Sequence, residues 1–205
     1  MAVLGVLALS VTSSRAQTLD LTGGAVEKSL TNEVLYDTVS SANDGAVSTW
    51  VVSDTSADPS GLIFIYQLEN SGPDTIGGVN FNQFSSGELK TEGSYSSITG
   101  LTLLGAQPAD PDGGFTFDFL SSEGAATFSG DLSNGGTYSW FIVIDTDVNS
   151  FDTGYALAQD NFQAHGDILA PNYAVFGVPE PSSAVILLGG FACFYGILRC
   201  RRAMD

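Results

Sequence analysis

The chain has 205 residues, 43% hydrophobic and 14% charged, with 23 acidic against 6 basic side chains for a net charge of -17. That size suits one modest globular domain, and the acidic balance excludes nucleic acid as a default partner, because phosphate contacts need Lys and Arg. Three of the six basic residues, Arg199, Arg201 and Arg202, fall in the last seven positions, so charge is spread very unevenly.

Residues 2–11 read AVLGVLALSV. An apolar run of ten is too short to span a bilayer but suits the central region of a secretory signal peptide. Ser14-Arg15-Ala16 follows, with small residues where signal peptidase reads them. The expected leader is therefore 1–16, with a mature chain from Gln17, although no Lys or Arg precedes the apolar run.

Residues 17–177 form the expected exported domain. Setting aside Glu180 and Asp205 leaves 21 acidic groups there against Lys28 and Lys90, a local charge of -19. Such a charge keeps a domain soluble, attracts cations and repels acidic polymers at low salt, but it specifies no fold. Both cysteines, Cys193 and Cys200, lie beyond this region, so its stability must come from ordinary packing.

The fold is read from periodicity. Leu62, Phe64, Tyr66 and Leu68 alternate with Ile63, Ile65, Gln67 and Glu69; Phe115, Phe117 and Phe119 with Thr116, Asp118 and Leu120; Tyr138, Trp140, Ile142 and Ile144 with Ser139, Phe141, Val143 and Asp145. Period two in aromatic and β-branched residues argues for strands. Turn clusters separate the runs, among them Asn70-Ser71-Gly72-Pro73-Asp74 and Asp110-Pro111-Asp112-Gly113-Gly114. Strands are expected near 34–41, 47–53, 62–69, 75–84, 94–104, 114–120, 125–132, 137–145 and 155–160. Nine strands without an amphipathic helix predict an all-β fold, an antiparallel β-sandwich.

Motifs for chemistry are sparse. His165 is the only histidine, and no G-x-S-x-G elbow, G-x-G pair or glycine-lysine step occurs. Within Ala164-His165-Gly166-Asp167 it reads as a loop residue. One His and no cysteine in the domain cannot make a typical zinc site. Calcium is the better inorganic candidate, with Asp145, Asp147 and Asn149 offering oxygens at alternate positions after a strand. Ser150 and Ala156 stand where an EF-hand loop has Gly and Glu, so the match stops halfway. Solvated Asp turns are the simpler reading, and no other cofactor is expected. A polysaccharide-binding domain would show an exposed aromatic platform; Trp50 and Trp140 are expected in the core instead.

The end of the chain is the most specific part. Pro179-Glu180-Pro181 fixes an extended backbone that cannot join a helix. Residues 182–198, SSAVILLGGFACFYGIL, carry no charge and as a helix measure roughly 26 Å, enough to cross a thin hydrocarbon core. Arg199, Arg201 and Arg202 then act as a stop-transfer cluster that keeps the C-terminus cytoplasmic and residues 17–177 outside. A processing enzyme can grip the extended Pro-Glu-Pro backbone at the outer membrane surface.

This ordered triple over 178–205 resembles the PEP-CTERM sorting signal of Gram-negative bacteria, whose substrates are processed by the membrane enzyme exosortase. The resemblance implies export by the Sec machinery, an inner-membrane intermediate held by the C-terminal helix, and recognition at Pro179, Glu180 and Pro181. Removal of the tail and delivery to the cell surface or extracellular matrix, in association with exopolysaccharide, would follow. The expected function is a non-enzymatic exported surface or matrix protein. The alternative is an uncleaved, permanently anchored β-sandwich adhesin or polysaccharide-binding protein.

Overall fold

The computed structural model describes residues 17–37, 43–53, 61–84, 89–120, 125–159 and 163–172. The expected leader at 1–16 and the sorting segment at 178–205, with its helix 182–198, lie outside the described residues. Among the described residues no helix is long and apolar enough to cross a membrane.

Every regular element among the described residues is a strand. In chain order they are β1 (Thr18–Asp20), β2 (Ala25–Asp37), β3 (Asn43–Ser53), β4 (Leu62–Asn70), β5 (Ile76–Asn82), β6 (Leu89–Tyr95), β7 (Ser97–Thr99), β8 (Phe115–Leu120), β9 (Ala125–Leu132), β10 (Thr137–Tyr138), β11 (Phe141–Thr146), β12 (Phe151–Gln159) and β13 (Gln163–Pro171). All-β, largely antiparallel architecture matches the expectation, and the described residues form thirteen strands where nine were expected. β1 and β13 were not expected; the stretch 94–104 holds only the end of β6 and the short β7, and the strand expected at 137–145 is divided into β10 and β11.

β2 begins nine residues earlier than expected, and its pairing with β3 explains why. The register shifts between Val26 and Lys28 and again between Leu30 and Glu33, so these bulges break the two-residue period. In β13, small Ala164 and Gly166 take the buried positions while Gln163, His165 and Asp167 are exposed. A side chain at Gly166 would put Cβ 2.8 Å from Leu35 Cδ2 and 3.1 Å from Val47 Cγ1, so the strand needs a small residue where a sequence reader sees a turn.

One antiparallel ladder runs β6-β11-β4-β3-β2-β13-β12-β5-β9-β8, with β10 beside β4. Among the described residues β2 and β13 share two pairs, Ala164 with Asp37 and His165 with Tyr36. About this seam the sheet folds over, so that β4 faces β5: the Tyr66 and Phe81 rings stack with centres 4.1 Å apart. Phe64 and Tyr66 meet Phe84 edge-on, and Phe128 links Phe81 to Phe117. Each such ring pair contributes about 0.5–1.5 kcal/mol beyond the area it buries. The two end strands meet again where Phe115 N donates to Ser94 Oγ at 3.2 Å, so the sheet nearly closes into a flattened barrel.

The other face of β3, β4 and β11 is also covered. Trp50, Val52, Ile63, Ile65, Phe141 and Val143 pack with Leu21 and Leu103, flanked by Leu19, Ile98 and Leu101 from the parallel β1–β7 pair and the chain after it. Trp50 Nε1 donates to Leu104 O at 3.0 Å. Gln67 and Gln107 clasp each other, with Gln67 Nε2 donating to Gln107 O at 2.8 Å and Gln107 N to Gln67 Oε1 at 2.9 Å. Because β4 is buried on both faces, its sequence LIFIYQL is nearly continuous in apolar residues rather than strictly alternating.

Candidate functional site

At the β2–β13 seam the surface opens into a groove of about 280 Å³. β2 supplies Glu33 and Tyr36 to one wall; β12 supplies Tyr155, and β13 supplies His165 and Asp167, to the other. The ladder sets their order. His165 lies directly across from Tyr36 on β2, and Asp167 directly across from Tyr155 on β12. The Tyr155 and His165 ring centres are 6.0 Å apart, tilted by 45°.

Two features mark this groove. Tyr36 is 56% exposed and Tyr155 49%, whereas Trp50 and Trp140, the two tryptophans of the chain, are 0% and 4% exposed and belong to the core. Among the described residues the exposed large hydrophobics are Val26, Tyr36, Leu104 and Tyr155, so two of the four stand at this one depression. The backbone beside it is also unusual: Asn32, another lining residue, holds a left-handed φ of 60° at the register shift between Leu30 and Glu33. Its N–H donates to Ser48 Oγ at 3.1 Å, which pins the bulge. Bulges of this kind re-aim neighbouring side chains.

His165 is therefore corrected from a loop residue to a central strand residue, and the strand carries it to the groove. Sequence reading missed Tyr36, Tyr155, Glu33 and Asp167. A signal was present in β12, where Gly154, Ala156 and Ala158 face inward while Tyr155 faces solvent. Small inside and large outside is the reverse of an ordinary core strand.

The calcium candidates lie elsewhere. Asp145 closes on the end of β11, Asp147 and Asn149 follow it exposed, and Thr146 and Val148 between them are fully buried. Lys90 Nζ stands 3.0 Å from Asp147 Oδ1, so a cation would have to displace that ammonium. Among the described residues no group of three or more His, Cys, Asp or Glu side chains is placed to hold a metal. A second depression, over β5 between β9 and β12, is lined by Asp74, Gly77, Gly78, Phe128, Ser129 and Gln159; Phe128 is fully buried, so its ring belongs to the core.

No family model matches this chain, and no curated protein or solved structure matches it either.

Proposed function

We propose that the chain is an exported, non-enzymatic surface or matrix protein, sorted by exosortase through Pro179, Glu180 and Pro181 and associated with exopolysaccharide. The observation that carries this reading is the order of three parts at 178–205: a proline-locked extended tripeptide, seventeen uncharged residues, and Arg199, Arg201 and Arg202. No single part is specific; the sequence of the three is. The leader expected at 1–16 points to the same outward topology from the other end of the chain.

Among the described residues His165 lines its groove with Tyr36, Tyr155, Glu33 and Asp167. Half-exposed tyrosines beside a concave, acidic wall suit a polyhydroxylated ligand better than an anionic one.

The test is maturation in cells that carry an exosortase. Mass spectrometry of the surface fraction should find the domain without peptides from 182–198, and replacing Pro179 and Pro181 by Ala should leave the longer form in the membrane. A mature surface protein retaining peptides through Leu198 would overturn sorting by cleavage and favour the anchored adhesin.

A further inference from the structure

The groove at the β2–β13 seam has a chemistry that narrows its ligand. Three rings, Tyr36, His165 and Tyr155, lie on three successive strands, β2, β13 and β12. Neighbouring strands are about 4.8 Å apart, so the two tyrosines sit on strands roughly 10 Å apart, about the length of a disaccharide. Half of each tyrosine remains open to solvent, whereas Phe64, Tyr66, Phe81, Phe84, Phe115 and Phe128 are all 2% exposed or less. An exposed ring face with a phenolic edge stacks on the apolar C–H face of a pyranose while offering the sugar a hydrogen bond.

The polar groups decide which sugars fit. Glu33 and Asp167 are acceptors for sugar hydroxyls, and among the described residues no Lys or Arg lines the groove. Together with a domain charge of -19, that lining opposes uronic acids and sulfated or phosphorylated chains. We propose that this groove binds a neutral glycan with equatorial hydroxyls, two consecutive pyranose rings stacking on Tyr36 and Tyr155 with Glu33, His165 and Asp167 hydrogen-bonding between them. The inference deepens the exopolysaccharide reading above and rests on it for biological context, but its test uses the purified protein and does not depend on sorting.

The chain carries one histidine, so His165 gives a single set of imidazole proton resonances in the middle of the site. The experiment is NMR titration of the full chain, held in a detergent without a sugar headgroup, with β-1,4-linked hexamers of glucose and of N-acetylglucosamine. The His165 resonances should shift saturably with at least one of them, and not with polygalacturonate. Tyr36→Ala and Tyr155→Ala should each weaken binding roughly tenfold, the loss expected of a central aromatic anchor, while Tyr155→Phe should retain most of it. A Leu104→Ala control, at an exposed apolar residue outside the groove, should bind as the parent does. An unmoved His165 signal at millimolar hexasaccharide overturns the proposal without requiring any variant to fold. Equal shifts with polygalacturonate, saturation by a lysine-rich peptide instead of a glycan, or release of new reducing ends would overturn it as well. Failure here with correct tail removal would leave the sorting reading standing, and the reverse result would leave the glycan site standing.

Discussion

Tyr66 donates its phenolic hydrogen to the carbonyl of Leu169 at 2.8 Å, joining β4 to β13 across the interior of the flattened barrel. Tyr66 is fully buried and Leu169 is 1% exposed, and the same ring stacks on Phe81, so one side chain ties three strands together. A hydroxyl in an apolar core is tolerated because its partner is fixed by the fold.

Replacing Tyr66 by Phe keeps the stack and leaves the Leu169 carbonyl without that donor. The expected cost is about 1–3 kcal/mol, read as a lower urea midpoint with an unchanged slope. A change below about 0.5 kcal/mol would mean that the hydrogen bond is not maintained in solution.

Gly45 and Gly77 should respond oppositely to the same substitution. A Cβ at Gly45, where φ is +150°, would lie 1.9 Å from the backbone oxygen of Glu69, an atom that cannot move without breaking the β3–β4 ladder. Gly45→Ala should cost at least about 2 kcal/mol. At Gly77 the nearest atom is Gln159 O at 3.8 Å, ordinary contact, so Gly77→Ala should stay within about 0.5 kcal/mol. Similar melting temperatures for the two variants would contradict the packing described.

Trp50 holds the outer cover in place. Trp50→Phe loses the donor to Leu104 O and should cost about 1–2 kcal/mol, whereas Trp50→Ala should cost about 3–5 kcal/mol. Hydrogen exchange should accelerate first at residues 100–107 if the cover detaches locally. Uniform acceleration over all strands would instead place Trp50 in the global core alone.

Asp20 supplies a pH-dependent contact. Thr22 Oγ1 donates to Asp20 Oδ1 at 2.7 Å and Thr22 N at 3.0 Å; the side-chain bond is the larger cause, and together they hold this carboxyl below its ordinary value. A depressed folded pKa means that the contribution is present above the unfolded pKa and is lost as pH falls through the folded one. Carboxyl NMR titration should find Asp20 below an ordinary aspartate, and Thr22→Val should bring it back toward that range. An unchanged midpoint in the variant would remove the hydroxyl as the cause.

How much was legible beforehand depended on local pattern. The strands at 62–69, 114–120 and 125–132 stand close to β4, β8 and β9, because turn clusters bound them and their apolar residues recur as strands require. The first half of β2 was hidden by bulges that reset its phase, and β13 by Ala164 and Gly166, whose smallness answers Leu35 and Val47 across the core. The groove was hidden for the same reason. Tyr36 and His165 are 129 positions apart and meet only through the pairing of β2 with β13.

By themselves, the residues determined an acidic, cysteine-free domain built from strands, and they carry the proline-bounded tripeptide, apolar stretch and arginine cluster that motivate the sorting proposal. Those are properties of composition and of neighbours along the chain, where φ restriction, hydropathy and side-chain alternation act within a few residues. Which tyrosines stay outside, which tryptophans go inside, and that the only histidine stands between two exposed rings were decided by the tertiary fold. Burial is a property of the facing layer, and a strand cannot carry in its own sequence the size of the side chains that will pack against it.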